Sequence, residues 1–210
     1  MNTIIESLKW RYACKKFDRT KKVSNAKIEV LSEAFNLTAT SFGLQPIKML
    51  ILQDKELQHQ LMTYSFNQQQ ISTASHVLII CIEDYFTQEK IDNYFDLEKK
   101  IRGTSEEILG KYRKQLKDIF ANKSTIEKQE SAINQAYIAL GNLMTVCALE
   151  RIDACPMEGF NAQKFDEILE LKKQNLKSVL ILPIGYRADD DFMSTLKKVR
   201  KPMEDTVIKM

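Results

Sequence analysis

The 210-residue sequence has few of the residues that build common nucleotide and metal sites. Its six glycines, at positions 43, 103, 110, 141, 159 and 185, form neither G-x-G-x-x-G nor G-x-x-x-x-G-K, which excludes a Rossmann dinucleotide fingerprint and a P-loop. No G-x-S-x-G is present for a serine hydrolase. With only two histidines, His59 and His76, we expect no metal site and no acid–base constellation. Any chemistry is therefore expected to come from a bound cofactor.

Cysteine spacing and the distribution of apolar residues set further limits. The four cysteines, at positions 14, 81, 147 and 155, show no C-x-x-C spacing, which predicts reduced, buried thiols in a cytoplasmic protein. The opening segment MNTIIESLKW lacks a basic region followed by an apolar one, so no secretory signal is predicted. The longest apolar runs, such as 77–82, are too short to cross a bilayer, and we expect no membrane partner.

The charge balance is mildly basic. The formal net charge is +3 and the isoelectric point is about 8.5, below what an obvious nucleic-acid-binding protein would show, so no nucleic-acid partner is expected. A small excess of cations suits anionic small molecules equally well. The hydrophobic content of 44% is enough for one sizeable core or two small ones.

Helical and strand patterns alternate along the chain. Apolar residues at spacings of three and four predict helices at 3–10, after Ser24, after Asp54 and over 127–151, whereas continuous apolar runs predict strands at 47–52, 75–84 and 178–186. The charged segment at about 86–123 reads as a variable helical excursion over the surface, with Gly103 and Gly110 as breaks. Together these predict a single α+β domain over residues 1–210.

The octet RYACKKFD, residues 11–18, carries two cations on one side if it is extended. Alternate side chains of a strand share a face, so Arg11, Ala13 and Lys15 would point one way, with Arg11 and Lys15 about 13 Å apart. Such a pair could hold the two ends of an elongated anion. On the octet alone, a solvated, lysine-rich loop remains the favoured interpretation.

Four separated stretches, in this order, resemble the nitroreductase family of FMN-dependent NAD(P)H oxidoreductases. They are RYACKKFD at 11–18, TSFGLQP at 40–46, NQQQ at 67–70, and PMEGF at 156–160, followed by LKKVRKP at 196–202. The resemblance spans residues 5–202 and is weakest over 86–123. It implies a nitroreductase-like α+β fold, with a central, mostly antiparallel sheet flanked by helices, in an intertwined homodimer. The long helix at 127–151 is a reasonable dimer core.

The resemblance also implies a bound FMN and the residues that hold it. Arg11, Lys198 and Arg200 would bind the phosphate, Lys15 and Asn67 the pyrimidine side of the ring, and Glu158 and Gly159 the region beside flavin N5. The complete set of expected cofactor-binding residues is Arg11, Tyr12, Ala13, Lys15, Thr40, Ser41, Phe42, Gly43, Asn67, Gln70, Glu158, Gly159, Lys198 and Arg200.

Some of these positions depart from the family pattern or are implied to act across subunits. Ala13 replaces a serine common in relatives, and Gln70 replaces a lysine, which removes a positive charge near flavin N1. The segment from Thr40 to Gly43 would contact the flavin of the partner subunit. Phe42 and Phe66, together with the excursion at 86–123, would shape substrate specificity.

The function that the resemblance implies is hydride transfer from NADH or NADPH, through flavin N5, to a small-molecule acceptor such as a nitroaromatic or a quinone, by a ping-pong mechanism. No residue is expected to exchange covalent bonds; Lys15 and Gly159 would tune the flavin. One alternative is a flavin carrier or redox sensor without substantial turnover. Another is a basic module that binds nucleic acid through KKVRK, with affinity that falls steeply with salt.

Overall fold

A four-stranded sheet lies at the centre of the structure, a computed structural model that describes residues 3–210. The strands are β1 (Ile47–Leu52), β2 (His76–Glu83), β3 (Asp153–Ala154) and β4 (Leu176–Gly185). Their spatial order is β1-β2-β4-β3, and each neighbouring pair is antiparallel. The expected mixed helix-and-sheet fold with a mostly antiparallel sheet is therefore confirmed.

Residues 3–210 contain eight α-helices besides short 3₁₀ turns. They are α1 (Thr3–Trp10), α2 (Asn25–Asn36), α3 (Lys55–Thr63), α4 (Gln70–Thr73), α5 (Gln88–Arg102), α6 (Glu106–Ala121), α7 (Thr125–Leu149) and α8 (Ala162–Ile168). The predicted helices correspond to α1, α2, α3 and α7, whereas α4, α8 and the two-residue β3 were not predicted. All three missed elements are shorter than eight residues, too short to show a clear apolar period.

Both faces of the sheet are buried by packed helices. Successive side chains of β2 point to opposite faces, so this strand contributes to both clusters. Leu78, Ile80 and Ile82 pack in one cluster with α2 and α7. Val77 and Ile79 pack in a second cluster on the other face, with α3, α8 and part of the octet. The continuous apolar run of β2 is explained by this burial on both sides.

Side-chain caps set the starts of α2, α3 and α7, among others. The Ser24 hydroxyl accepts from the Lys27 N–H at 3.4 Å, and Asp54 accepts from the Leu57 N–H at 2.8 Å. Ser124 and Glu127 form a reciprocal capping box, so α7 begins at Thr125, two residues before the predicted start. These local bonds satisfy backbone donors that a helix leaves free at its first turn.

The two glycines expected to break the excursion behave differently. Gly103 ends α5 in the left-handed conformation, with φ of 69°, as predicted. Gly110 lies inside α6, so its prediction as a break is wrong. An interior glycine costs about 1 kcal/mol in a helix. Burial of α6 side chains such as Leu109 and Leu116 in a separate small core with α5 outweighs that cost.

Helix α7 is the longest helix of the described chain and packs on the sheet. Its length and apolar composition match those of a membrane-spanning helix. However, Ala136, Ala139 and Leu143 are fully buried against the sheet, which is the packing of a core helix. Tyr137 and Ile138 on its other side are exposed.

Candidate functional site

The octet Arg11–Asp18 is joined to the sheet at two points and bends at Lys15 between them. Ala13 pairs with Ala154 of β3 in a parallel bridge, and Phe17 pairs with Arg187 in an antiparallel one. Both bridges involve odd-numbered octet residues, but the bend at Lys15 means that the segment between them is not a regular strand. The octet is therefore attached to the sheet and is not the solvated loop favoured on the octet alone, but it is extended only in part.

The two odd-numbered cations contact sulfur atoms in the two different clusters, so the structure does not place them on one common side. The Arg11 guanidinium donates to Met144 Sδ at 3.6 Å, and Lys15 Nζ lies 3.7 Å from Cys155 Sγ. Sulfur is a weak acceptor, so neither contact neutralises the cation. Both cations remain available to an anion or a polar ring.

Asp191 fixes the opposite side of the octet. Its Oδ2 accepts from the Tyr12 hydroxyl at 3.0 Å, from the Lys15 N–H at 3.0 Å and from the Lys16 N–H at 3.4 Å. Burial alone would raise the pKa of Asp191, but the bonds donated by Lys15 and Tyr12 hold that pKa below its ordinary value. The charged carboxylate therefore holds Tyr12 and the bend at Lys15 in place.

Arg187 clamps the residues on either side of Arg11. Its guanidinium lies 4.5 Å from the ring centres of both Trp10 and Tyr12, and it donates to Asp153 Oδ1 at 2.9 and 2.6 Å. The Asp153 side chain is only 4% exposed, so the pair is largely desolvated. Because both neighbours of Arg11 are held, the backbone that carries its guanidinium is fixed before any ligand binds.

Arg11, Lys198 and Arg200 line one cleft of about 600 Å³. Tyr12 and Ala13 of the octet line the same cleft. Its other lining residues are Lys9, Trp10, Pro156, Met193, Ser194, Leu196, Lys197 and Val199. The structure therefore brings together five of the predicted site residues, from both ends of the chain.

These three cations repel one another and have no carboxylate partner within residues 3–210. Burial lowers the pKa of Arg11, and the charge of Arg200 lowers it further. The pKa of Lys198 is lowered by burial and by the charges of Arg11 and Arg200. Lys198 Nζ donates to the carbonyls of Leu8 and Arg11 at the end of α1, which positions it in the cleft. An anion bound here would relieve this repulsion.

A larger cleft of about 830 Å³ is lined by residues 15–19, so Lys15, one of the predicted site residues, lies here and not in the cleft of Arg11. Lys16 forms an ion pair with Asp190 there, and Asp18 pairs with Lys21 at its edge. The lining holds four carboxylates, Asp18 and residues 189–191, against three cations, so this cleft is the poorer site for an anion despite its size.

A polar row continues from Lys15 toward Gly159. Lys15 Nζ and Gln70 Nε2 both approach Cys155 Sγ, at 3.7 and 3.9 Å. Gln70 also donates to Gln68, and Gln68 donates to the Gly159 carbonyl. Burial raises the pKa of the Cys155 thiol in spite of the nearby Lys15 ammonium, so the thiol is neutral at pH 7.

Asn67 and Glu158 lie at the exposed edge of this row. Asn67 and its neighbour Phe66 both have positive φ, of 53° and 54°, and Phe66 is 80% exposed. The Glu158 carboxylate accepts from the Tyr137 hydroxyl of α7 at 2.8 Å. A Cβ added at Gly159 would lie 3.3 Å from Gln68 Nε2 and 3.7 Å from the Phe66 ring, so glycine keeps this turn close to its neighbours.

The segment Thr40–Gly43 lies elsewhere in the chain and lines neither of the two large clefts. The Ser41 N–H donates to Gln135 of α7 at 2.8 Å. The ring of Phe42 meets Phe120 edge-on at 6.3 Å, and Gly43 packs against Tyr94 of α5. The excursion therefore holds this segment in place, away from the cleft that contains Arg11.

Comparison with known proteins gives the family directly. The model of the Nitroreductase family matches residues 8–186. The chain belongs to the Nitroreductase family. A relative from Staphylococcus haemolyticus, named "Putative NAD(P)H nitroreductase", is 32% identical over 213 residues, covering 98% of this chain and 96% of the relative. The chain is thus an enzyme of an oxidoreductase family.

Solved structures of nitroreductases share this fold. A protein from Bacillus subtilis has a TM-score of 0.87 at 19% identity, covering 98% of each chain. A protein from Exiguobacterium sibiricum, crystallised in complex with FMN, has a TM-score of 0.84 at 21% identity, covering 99% of this chain and 97% of its own. At 19% and 21% identity, the similarity to these two structures is evidence for the fold alone.

The residues of this nitroreductase-family chain fit an FMN-sized ligand. Three unpaired cations suit a phosphate dianion, because guanidinium and ammonium groups donate charge-assisted bonds to phosphate oxygens. The row from Lys15 to Gly159 offers donors and acceptors to a polar ring edge. Sequence reasoning missed Arg187, Asp153 and Gln68, whose contacts lie between distant segments.

Proposed function

We propose that this chain binds FMN and uses it to pass reducing equivalents from NADH or NADPH to a small-molecule acceptor. The observation that carries the proposal is the cleft lined by Arg11, Lys198 and Arg200, three cations without a carboxylate partner among residues 3–210. A phosphate group supplies the charge that this cleft lacks. The FMN-bound structural neighbour and the NAD(P)H nitroreductase relatives support the same assignment.

In this proposal each part of the polar row has a separate role. Arg11, Lys198 and Arg200 hold the phosphate, with Ala13 beside the ribityl chain. Lys15, Asn67 and Gln70 face the pyrimidine side of the ring. Glu158 and Gly159 lie beside flavin N5, with the Gly159 turn held by Gln68. When bound, FMN supplies the hydride chemistry, and the protein supplies position and charge.

We further propose that the acceptors are nitroaromatics, quinones or similar molecules. The nicotinamide and the acceptor would use one exposed ring face in turn, which gives ping-pong kinetics. Phe42, Phe66 and the excursion α5–α6 would shape that face. Phe42 and Phe66 are both exposed, at 41% and 80%, and so remain accessible to a substrate.

The proposed assembly is a homodimer in which Thr40–Gly43 reaches the flavin of the partner subunit. Its support is that this segment packs on α7 and the excursion and does not line the cleft of its own chain. The four cysteines, all buried free thiols within the described chain, support a reducing, cytoplasmic setting.

The test is a titration of the apoprotein with FMN, followed by anaerobic addition of NADH or NADPH. We expect stoichiometric FMN binding and full bleaching of the flavin absorbance by one of the two nucleotides, with recovery of the absorbance when a quinone is added. A chain that binds FMN but is reduced by neither nucleotide would instead be a flavin carrier. Absence of FMN binding contradicts the proposal altogether.

A further inference from the structure

The turn at Gly159 has an exposed aromatic ring and an exposed carboxylate beside it. Phe66 is 80% exposed, and its ring would lie 3.7 Å from a Cβ added at Gly159. Glu158, the residue before this glycine, is exposed as well, and its Oε1 accepts from the Tyr137 hydroxyl of α7 at 2.8 Å. A ring and a carboxylate are therefore both accessible to a ligand at the same turn.

The backbone that carries the Phe66 ring is strained. Phe66 and Asn67 both have positive φ, of 54° and 53°, a conformation that is unfavourable for residues other than glycine. Strained backbone of this kind is concentrated at ligand-binding and active sites. Because most of the ring is exposed, packing within its own chain does not offset the strain. A ligand that contacts the ring would account for its position.

The Glu158 carboxylate has no cation as a partner in the part of the chain that the structure describes. No Lys or Arg within residues 3–210 forms an ion pair with it, and its side chain is held by the Tyr137 hydroxyl. This hydrogen bond raises the pKa of Tyr137, so the phenol keeps its proton and continues to donate. The second carboxylate oxygen of Glu158 is left for a ligand.

An exposed aromatic ring next to an unpaired carboxylate suits a flat ring that carries a positive charge. Aromatic faces attract cations, and a carboxylate adds Coulomb attraction. The nicotinamide ring of NADH or NADPH becomes such a cation, because it gives up a hydride, which is two electrons and one proton, to bound FMN and is left as a pyridinium. A quinone or nitro compound that receives the hydride gains negative charge instead.

We propose that Glu158 recognises the positive charge of the oxidised nicotinamide ring, and that Tyr137 is the positioning residue that holds this carboxylate beside Gly159. The inference rests on the proposed function, in which Gly159 lies beside flavin N5. Phe66 supplies an aromatic face to the same ring. The corner formed by these residues therefore favours the nucleotide that donates hydride over acceptors that carry negative charge.

Two variants and two matched controls separate charge from shape. Glu158→Gln removes the charge but keeps an oxygen that can accept from Tyr137, whereas Tyr137→Phe keeps the charge and removes the bond that positions it. The controls are Glu29→Gln and Tyr85→Phe. Glu29 is an exposed carboxylate on α2 without an ion pair in residues 3–210, and Tyr85 is 62% exposed.

The probes are two small rings that differ in charge, the cation 1-methylnicotinamide and neutral nicotinamide. Binding of each ring to the FMN-loaded protein is titrated through the change in flavin absorbance, and the Kd for nicotinamide is divided by the Kd for 1-methylnicotinamide. We expect Glu158→Gln to lower this ratio about threefold to fivefold, the range of an exposed charge pair. Tyr137→Phe should lower it by less, and both controls should leave it unchanged.

Three results of this titration would overturn the inference. The first is a ratio in Glu158→Gln equal to that of the wild type. The second is an equal loss of affinity for both rings, which is the effect of altered shape and not of charge. The third is a wild-type protein that binds neither ring although NADH or NADPH bleaches its flavin. A chain that binds no FMN overturns the proposed function as well.

A second readout compares the two half-reactions by anaerobic stopped flow. A carboxylate near a ring that becomes positive stabilises the developing charge, so Glu158→Gln should slow bleaching by the saturating nucleotide about threefold. Recovery of the absorbance with a neutral quinone should not be slowed, because no positive charge develops on the quinone. Equal slowing of both half-reactions would indicate a displaced Gly159 turn and would contradict the role given to the Glu158 charge.

Discussion

Arg11 and Arg200 carry the same charge and line the same cleft, but they differ in how firmly the folded chain holds them. Arg11 is half-buried, and its two neighbours in sequence stack on Arg187. Arg200 lies on an exposed tail outside any helix or strand, where its guanidinium donates to the adjacent Val199 carbonyl at 2.6 Å. Ordering a long side chain costs conformational entropy. Arg11 is already largely ordered in the folded chain, so it loses less entropy than Arg200 when a ligand binds.

The comparison shows how the fold divides the proposed site into a rigid part and an adjustable part. The rigid part is the octet, held by Asp191 and by the Arg187 clamp. The adjustable part is the tail 196–200, which the Lys198 contacts tie to the end of α1. The rigid part should therefore dominate affinity, and the tail should contribute less.

The largest effect should come from removing the clamp. Arg187→Met leaves the Asp153 carboxylate buried and unpaired, and loss of one partner of a buried pair costs about 3–5 kcal/mol. We expect this decrease in the free energy of unfolding, measured in urea, together with weaker FMN binding. Lys173→Met removes an exposed pair with Glu170 and should cost less than about 1 kcal/mol. Similar decreases in the free energy of unfolding for the two variants would contradict a stabilising role of the Arg187–Asp153 pair.

A charged side chain introduced on the exposed side of α7 should dissociate the proposed dimer into monomers. Ile138 is 51% exposed in the single chain, and Ile138→Asp would bury an unpaired charge at an interface, at a cost of several kcal/mol. Since Thr40–Gly43 would be withdrawn from the partner, flavin should be lost with the dimer. Sedimentation monitored at a flavin wavelength reports both.

Leu140 is unsuitable for this experiment because it packs in the core of its own chain, and Leu140→Asp would unfold it. The matched control is Ile108→Asp on α6, where the side chain is 68% exposed. A folded Ile138→Asp monomer that keeps stoichiometric FMN would refute the shared site.

The two arginines can be compared directly by truncation. Arg11→Ala and Arg200→Ala should each raise the Kd for FMN roughly tenfold to a hundredfold, since bonds to charged groups contribute about 1.5–3 kcal/mol. Because Arg11 is held in position before the ligand binds, we expect the larger loss of FMN affinity for Arg11→Ala. Lys16→Ala, which alters the larger neighbouring cleft, should bind FMN normally. A larger loss for Arg200 would reverse the comparison.

The smallest effect concerns pH. Bonds to Asp191 lower its pKa in the folded chain, so its contribution to stability is present above the unfolded value, about 3.9, and is lost as the pH falls through the folded value. Asp191→Asn should cost about 1 kcal/mol at pH 7 and flatten the acid limb of the stability curve. Urea unfolding between pH 7 and pH 3 measures this change, and parallel curves for both proteins would contradict it.

Local signals in the sequence were enough for the elements that frame the site. The Ser24 and Asp54 caps and the apolar runs of β1, β2 and β4 act within a few residues, so the corresponding helices and strands were predicted nearly in full. The octet shows the limit of such local reasoning, because its alternation depended on an extended conformation and the chain bends at Lys15.

The contacts that hold the site together could not be predicted in this way. Arg187 and Asp153 are 34 residues apart, Gln68 and Gly159 are 91 apart, and Lys198 is 190 residues from the Leu8 carbonyl it binds. No periodicity or spacing indicates such pairs, because only the tertiary fold brings them together. Arg11, Lys198 and Arg200 were assigned through the family resemblance, and in the structure all three line the same cleft.

The most direct test is the structure of the protein crystallised with FMN. We predict that the phosphate lies in the cleft of Arg11, Lys198 and Arg200, with the ring edge along Lys15 and Gln70 and Thr40–Gly43 of a second copy against the ring. A flavin phosphate found in the larger cleft beside Lys16 and Asp190, or a ring enclosed by one chain alone, would contradict this account.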